Sequence, residues 1–309
     1  MGRVQAIIAG WDVESLKELQ LFVANGLSVC LEYLLSDKDI EAAARAHATF
    51  SPHLEKALVA EFLNGDTEGL LVPHQYPQPG DLRYLAVIDK RGRRAVRGYF
   101  TAWHELAHLL VSPPQLAFTG FRRSPPPDLR QKDPVESLVD DIAGLVGFYE
   151  PLFAPVVEEV RRGDDGRLTL SGVERIRETA APEASFYATA LAAVRVSSEP
   201  LCLICAKPFW KRGEHVSTGR GVAQPSLRVA SASWNTAARD AGLQIRPNIR
   251  VPKRSILHRV YHEALNEEHV AEEDQCWWET SANGPLASLR LRVSAAWRGP
   301  VAYALIALG

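Results

Sequence analysis

The segment His104-Glu105-Leu106-Ala107-His108 contains two metal-binding side chains and one base at helical spacing. Residues four apart lie on one face of a helix, so the imidazoles of His104 and His108 can reach the same ion. Glu105 projects to the edge of that face, where its carboxylate can take a proton from water. The side chains predicted to seat the helix in a core are Trp103, Leu106, Ala107 and Leu110. The segment predicts part of a metal site, and an accidental HExxH on the surface is the alternative.

A carboxylate is needed to complete a His₂Glu site, and the next predicted helix offers one. Glu136 lies at the start of that helix, and Asp140 follows one turn later on the same face. We expect Glu136 to be the third ligand and Asp140 to accept the ring N–H of a ligating histidine, which fixes its tautomer. The alternative is a solvated acidic face that also includes Asp141. We favour the site because five apolar residues are predicted to bury the rest of the helix: Val135, Leu138, Val139, Ile142 and Leu145.

These residues together predict hydrolysis of a peptide bond. Three protein ligands leave one coordination position for water, whose pKa the ion would lower toward about 7. Glu105 would take the proton of that water and later deliver it to the leaving amine. Zn²⁺ is the expected ion, and Mn²⁺ or Fe²⁺ fit the same ligands. The candidates for a further donor to the oxyanion are Tyr99, Tyr149 and Arg97.

The first half of the chain is predicted to be mainly helical, with a small sheet. Leucine spacing predicts helix from 13 to 63, with a break at Ser36 and Asp37. Residues 82–89 form a predicted buried strand, which the basic turn 90–94 ends. The helices predicted to carry the site are 96–111 and 133–149, the second closed by Pro151 and Pro155.

The pattern changes after Ser198, which marks the clearest predicted domain boundary. Before it, helices are predicted at 171–179 and 182–194. After it, short apolar runs with glycine and proline breaks predict strands at 201–204, 227–229, 289–293 and 301–308, with one helix at 253–265. This pattern is typical of a small α+β module.

Length and composition fit a globular protein of two or three modules. The chain has 309 residues, of which 46% are hydrophobic and 23% charged, and its formal net charge is −2. Such a charge gives no overall attraction for nucleic acid or anionic lipid. We find no secretory signal and no run of about 20 apolar residues, so a cytoplasmic protein without membrane contact is expected. The four cysteines are expected to be reduced thiols.

Three segments resemble the ImmA/IrrE family of metallo-endopeptidases over about the first half of the chain. The family pattern is a strand, a basic turn, a segment like RFTxAHELGH, a loop, and a helix like ExxANxFAxxLL followed by proline. Here residues 84–89 read YLAVID, 98–108 read GYFTAWHELAH, and 136–143 read ESLVDDIA, with Pro151 after them. The departures from the family pattern are Trp103, Ala107, Val139 and Asp140, in place of Ala, Gly, Ala and Asn. None of them removes a ligand.

The resemblance implies roles, a domain order and a partner. It assigns the metal to His104, His108 and Glu136, and the general base to Glu105. It implies an α+β protein with a mainly helical, zincin-like peptidase domain containing a small sheet at 1–155, a helix-turn-helix-like segment at 156–198, and a C-terminal α+β, GAF-like sensor or docking domain at 199–309. Radiation-response members cleave a helix-turn-helix repressor to release stress genes, and others free mobile-element genes. The expected partner is therefore a transcriptional repressor as protein substrate, while direct DNA binding and oligomeric state stay open.

Two other functions compete with this one. The first is a non-proteolytic sensor and regulator that binds DNA or protein and holds a structural metal. The second is a toxin-like peptidase of a two-gene module.

Other candidate sites carry weaker signals. Cys202 and Cys205 have zinc-knuckle spacing, but a strand would turn them to opposite faces, so buried thiols are expected. His258 and His262 share a helical face without a third ligand, which favours an exposed polar surface. The basic stretch 90–97 is expected to be a solvated turn rather than a contact with nucleic acid or an acidic substrate loop.

Overall fold

The computed structural model of the protein describes residues 1–63, 66–111, 133–210, 224–280 and 284–309, and the backbone of 120–123. The fold is α+β, with helices and two separate β-sheets. The chain forms two compact units, which we call the first and second unit. The first consists of Met1–Phe153 and Arg177–Ala188, and the second of Ala154–Ile176 and Thr189–Gly309. The predicted three-part division at 155 and 198 stays a prediction.

The helices in chain order are α1 (Gly2–Ile8), α2 (Leu16–Gly26), α3 (Asp37–Ala46), α4 (Leu54–Leu58), α5 (Gly98–Val111), α6 (Pro134–Gly147), α7 (Glu150–Gly163), α8 (Leu170–Ala180), α9 (Phe186–Val196), α10 (Thr236–Asp240) and α11 (Ile256–His262). A π-helical turn follows α4 at Val59–Leu63, and 3₁₀ turns lie at Gly92–Arg97 and Gln275–Trp278. The strands are β1 (Val29–Leu34), β2 (Thr67–Pro73), β3 (Tyr84–Asp89), β4 (Gly120–Arg123), β5 (Leu201–Pro208), β6 (Leu227–Trp234), β7 (His269–Asp274), β8 (Arg290–Arg298) and β9 (Val301–Leu308).

The sheet of the first unit supports the helix that carries the HExxH segment. Its strand order is β1-β3-β2-β4, with β1 parallel to β3 and β2 antiparallel to both of its neighbours. On one face, Leu70 and Val72 of β2 pack into a core with α3 and α4. Side chains alternate along a strand, so Gly69 and Leu71 face the other way, toward α5. That helix packs on β2 and β3.

The predicted helix across 13–63 is wrong at β1. Ser28 has a positive φ of 57° after the end of α2, and Val29–Leu34 then pairs in parallel with Tyr84–Asp89. The leucines of this run fit helical spacing as well as strand spacing, and parallel pairing with a distant strand decides between them. The predicted strand at 82–89 is confirmed as β3, whereas the sequence pattern does not predict β2.

The two predicted site helices are present, but their ends differ from the prediction. α5 begins at Gly98 after the 3₁₀ turn, and α6 runs over Pro134–Gly147. The prediction that Pro151 and Pro155 close the second helix is wrong, because both residues lie within α7. Pro151 occupies the first turn of α7, where an N–H has no partner within the helix in any case.

The buried face of α6 is narrower than predicted. Of the five apolar residues expected to bury it, only Val139 is fully buried, and Val135, Leu138 and Leu145 are exposed. Small residues form much of the buried face instead, and its members are Val139, Ala143, Val146 and Gly147. Such residues let α6 approach α5 closely, and a Cβ on Gly147 would lie 2.8 Å from Cδ1 of Trp103.

The second unit contains a five-stranded sheet of order β6-β5-β9-β8-β7, antiparallel at every pairing. The four strands predicted after Ser198 are confirmed as β5, β6, β8 and β9, and the helix predicted at 253–265 is confirmed as the shorter α11. The sequence pattern does not predict β7 or α10. The helices predicted at 171–179 and 182–194 correspond to α8 and α9.

A side chain from the loop before β7 holds the start of α8. Glu268 accepts hydrogen bonds from the backbone N–H groups of Leu170 at 3.1 Å and Ser171 at 2.8 Å. The first N–H groups of a helix lack partners within the helix, so this carboxylate acts as a cap supplied from a distant part of the chain.

Within the described ranges, no helix combines the length and apolar character needed to cross a bilayer.

Candidate metal centre

The polar side chains of the HExxH segment are buried along with the apolar ones. His104 exposes 2% of its surface, His108 6% and Glu105 0%. Trp103, Leu106 and Ala107 are also buried, as the predicted apolar stripe requires. Burying two imidazoles and a carboxylate is costly without partners, so their surroundings in the fold decide what they do.

Helix α6 brings Glu136 to the two histidines. Asp133 precedes the helix and accepts a hydrogen bond from the Val135 N–H at 2.8 Å, while Pro134 occupies a first-turn position. Glu136 therefore lies in the first turn, where a negative charge is favoured by the helix dipole. At the other end of this helix pair, the Tyr99 hydroxyl at the start of α5 donates to the Gly147 carbonyl at the end of α6.

Three donor atoms converge between α5 and α6. His104 Nε2 lies 3.1 Å from His108 Nε2 and 3.2 Å from Glu136 Oε2. His108 Nε2 lies 3.5 Å from Glu136 Oε1. Among the described residues, these three form the one group of His, Cys, Asp and Glu side chains with the spacing to hold a metal ion. The structure thus brings together the three ligands predicted from the sequence.

The spacing of these atoms fits a tetrahedral ion. Ligand atoms about 2.0–2.1 Å from Zn²⁺ at tetrahedral angles lie about 3.3–3.4 Å apart. The three separations of 3.1, 3.2 and 3.5 Å lie on either side of that value. The Glu136 side chain remains 39% exposed, so solvent can reach this side of the group. Two imidazoles and one carboxylate form a donor set that can hold a divalent cation such as Zn²⁺.

Asp140 lies where a supporting carboxylate is expected. Its Oδ1 is 2.8 Å from His104 Nδ1. A proton on Nδ1 that is donated to Asp140 leaves the lone pair of His104 on Nε2, the atom that faces His108 and Glu136. The Asp140 side chain is 20% exposed, which makes this charge-assisted contact stronger than one on the open surface.

Glu105 lies at the contact between α5 and strand β2. A Cβ built on Gly69 would be 2.6 Å from Glu105 Oε1 and 2.7 Å from Thr101 Cγ2. The carboxylate therefore occupies space that any other residue at position 69 would fill. The motifs of the sequence do not single out Gly69 or Thr101, although a glycine inside an apolar strand is a recognised sign of close approach.

Two of the three candidates for the oxyanion donor have partners in the fold. The Tyr99 hydroxyl donates to Gly147, and burial raises the pKa of this phenol above its ordinary value. Arg97 forms an ion pair with the buried Glu68. Tyr149 is buried directly before α7. Tyr99 and Arg97 thus serve to hold the site elements together.

The weaker candidate sites do not gather a ligand set in the described part of the chain. Cys202 is buried and Cys205 half-buried on β5, and burial raises the pKa of both thiols. Both cysteines therefore lie on a β-strand, as the prediction of buried thiols assumes. The rings of His258 and His262 lie 4.1 Å apart on the short helix α11, and the surface there is partly exposed.

Comparisons with known proteins leave the family of this chain open. No family model matches it, and no curated protein matches it. A solved structure described as a Mycobacterium tuberculosis transcriptional regulator aligns over 95% of this chain and 81% of its own, with 10% identity and a TM-score of 0.35. That likeness is too loose to indicate a function. The geometry of the site and the sequence motifs are therefore the basis for assigning one.

Proposed function

We propose that the protein is a metal-dependent endopeptidase, with His104, His108 and Glu136 as ligands and Glu105 as general base. The observation that carries the proposal is the tetrahedral spacing of three donor atoms from two helices. The glutamate of the HExxH segment is buried on the same helix as the two histidines, against strand β2. A mainly helical, zincin-like peptidase domain is the corresponding interpretation of the first unit.

Asp140 and Glu105 have different roles in the proposed hydrolysis. When bound, a divalent cation supplies Lewis-acid chemistry: it acidifies a water molecule and polarises the scissile carbonyl. Asp140 holds His104 in the tautomer that presents Nε2 to the site. Glu105 takes the proton of the attacking water and delivers it to the leaving amine. Its dry setting between α5 and β2 strengthens the electrostatic interactions of its carboxylate.

We propose a transcriptional repressor of the helix-turn-helix type as the protein substrate, and release of stress-response or mobile-element genes as the outcome. Support for this substrate comes from the ImmA/IrrE-like segments around His104 and Glu136. The five-stranded antiparallel sheet of the second unit fits the α+β class expected of a GAF-like sensor or docking module. Zn²⁺ is the proposed ion, Mn²⁺ and Fe²⁺ being alternatives, and the cytoplasm is the proposed location.

The exposed Glu136 side chain favours catalysis over a purely structural metal. Structural zinc sites are closed by four protein ligands, whereas three ligands with solvent access leave room for water and substrate. A non-proteolytic regulator that binds DNA or protein would shift an operator fragment without cutting any protein. A gel-shift assay run beside the cleavage assay therefore separates the two functions.

Cleavage by matched variants tests the proposal. The full chain, loaded with Zn²⁺ and stripped with a chelator, is incubated with helix-turn-helix regulators encoded near its gene and with unfolded casein as a general substrate. We expect cleavage by the zinc form and none after chelation. Glu105→Gln is expected to bind one Zn²⁺ and to lose at least about 100-fold in rate, the usual contribution of a general base.

Asp141→Asn is the control, because Asp141 is an exposed acid on the same helix α6. It should bind zinc and cleave like the parent chain. Full activity of Glu105→Gln with normal zinc content would rule out the proposed mechanism.

A further inference from the structure

Gly69 lies at a strand position, where glycine destabilises the fold relative to alanine. It lies inside β2, paired with Ile88 of β3 on one side and Arg122 of β4 on the other. Glycine within a strand costs roughly 0.5–1 kcal/mol relative to alanine, because its backbone loses more freedom on folding. Its φ is not in the left-handed region, unlike that of seven other glycines of the described chain. Backbone conformation therefore does not explain why position 69 is a glycine. The lack of room for a side chain does.

The space is occupied by the side chain of the proposed general base. A Cβ at position 69 would lie 2.6 Å from Oε1 and 3.2 Å from Cδ of Glu105, and 2.7 Å from Cγ2 of Thr101. Carbon atoms in contact normally stay about 3.5–4.0 Å apart, so these positions exclude a methyl group. Both neighbours lie on α5, one turn apart.

The local strand geometry fixes which way position 69 points. The pairing of β2 with β4 shifts register between Thr67 and Gly69, so Glu68 is the extra residue of a β-bulge. Bulges turn side chains and often lie beside active sites. Glu68 binds Arg97 immediately before α5, while Leu70 points into the opposite core. The bulge thus orients Gly69 so that the position where a Cβ would lie faces the Glu105 side chain.

We propose that Gly69 is the positioning residue for Glu105, and that the missing side chain sets where the general base lies. This inference rests on the proposed endopeptidase function. None of the three heavy atoms nearest to a Cβ at position 69 belongs to a proposed metal ligand. A methyl group there should displace the end of the flexible Glu105 side chain before it moves the backbone, and a displacement of about 1 Å from the productive position costs roughly 100-fold in rate.

The test is a double-mutant cycle on the full chain with Zn²⁺ bound. Gly69→Ala is expected to lower kcat about 100-fold while KM and zinc content stay as in the parent chain. Glu105→Asp withdraws the carboxylate from position 69, so adding Gly69→Ala in that background should cost less than about 2-fold. A merely structural effect of the methyl group would cost the same in both backgrounds and would overturn the proposal.

Two further variants separate the contact with Glu105 from other effects. Thr101→Ser removes Cγ2, so recovery of activity in Gly69→Ala with Thr101→Ser would assign the loss to Thr101 and overturn the proposal. If Gly69→Ala alone fails to fold, the double-mutant cycle with Glu105→Asp is measured in the Thr101→Ser background instead. Gly163→Ala is the matched control, since nothing lies within 4 Å of its Cβ position, and it should leave kcat unchanged.

Crystal structures of the parent chain and of Gly69→Ala distinguish failure of this inference from failure of the proposed function. If the parent chain cleaves no protein, the endopeptidase proposal fails. A Glu105 carboxylate displaced by about 1 Å or more, with His104 and His108 in place, would still support its positioning by Gly69. An unmoved carboxylate would overturn the inference in either case. Where the parent chain is active, a rate for Gly69→Ala within about 2-fold of the parent would also overturn it.

Discussion

A single contact, between Asp140 and His104, determines which ring nitrogen of His104 is available to a metal. Oδ1 of Asp140 lies 2.8 Å from Nδ1, so the proton is held there and Nε2 carries the lone pair. An asparagine at position 140 keeps the shape of the side chain but can turn its NH₂ toward Nδ1. The histidine would then be stabilised in the opposite tautomer, with its proton on Nε2.

We therefore predict that Asp140→Asn weakens zinc binding by about 10–100-fold, the usual effect of losing such a partner. Competition with a chromogenic chelator measures the change. Asp141→Asn provides the comparison, because it removes an equal charge one residue away on the exposed side of α6. An equal loss of affinity in both variants would mean that general charge, and not the contact with His104, is responsible.

The sequence could predict the residues that follow from local spacing or from the chemical needs of a metal site. His104, His108 and Glu105 share one helix, and the four-residue spacing alone places the two imidazoles together. Glu136 and Asp140 follow from the need for a third ligand and for a partner to a histidine. Gly69 could not be found this way, because its role depends on the register of β2 with β4 and on the packing of β2 under α5, which are long-range features.

At the scale of elements, strand β1 is harder to predict from the sequence than the two site helices α5 and α6. Leucines at 31, 34 and 35 satisfy helical spacing, and only pairing with β3 reveals the strand. The site helices have clearer signals: Asp133 and Pro134 mark the start of α6 with capping chemistry. The sequence does not reveal the narrow buried face of α6, because that face includes the small residues Ala143 and Gly147 and Gly147 lies close to Trp103 of α5.

The basic turn after β3 is an ion-pair network within the first unit, not the solvated turn expected from the sequence. Asp89 is fully buried at the end of β3, and Arg91 Nη2 lies 2.8 Å from its Oδ2. Arg94 also binds Asp89, and Arg91 reaches the Phe62 carbonyl at 2.6 Å. The network thus ties β3 and the 3₁₀ turn before α5 to the π-helical turn.

We predict that Asp89→Asn destabilises the first unit at pH 7 by on the order of 3 kcal/mol, because two partly buried arginines lose their counter-charge. Burial alone would raise the pKa of Asp89, but hydrogen bonds from Arg91 and Arg94 outweigh it and hold the pKa below its ordinary value. A carboxylate of this kind stabilises the fold above its unfolded pKa of about 3.9, and the contribution is lost as the pH falls through the folded pKa. The difference between parent and variant should therefore shrink in acid.

Urea-dependent hydrogen exchange of peptides covering β3, at pH 7 and near pH 3, measures this difference. Asp66→Asn is a suitable control, since Asp66 pairs with Arg94 at 3.6 Å but its side chain is 84% exposed. Exposed pairs contribute little, so this variant should match the parent chain. A constant difference for Asp89→Asn across the pH range would show that lost charge is not the cause.

At the scale of the whole molecule, the candidate site and the second sheet belong to different units. All three candidate ligands lie within Met1–Phe153. The second unit has a hydrophobic core of its own, which includes Ile204, Leu257 and Trp278. A ligand that binds only the folded form of one unit stabilises that unit against the conformational openings that separate its ligands.

We predict that zinc protects α5 and α6 from hydrogen exchange and leaves β5 and β9 unchanged. At a free zinc concentration of about 100 times Kd, the openings that separate α5 from α6 should become less favourable by about 2.7 kcal/mol, a nearly 100-fold slowing of exchange. Mass spectrometry of peptides 98–111, 134–147, 201–208 and 301–308, with zinc and with a chelator, makes the comparison. Glu136→Ala removes one ligand and should abolish most of the protection without altering exchange in the second unit. Equal slowing in both units would instead mean that they open together, and that the metal stabilises the chain as one cooperative body.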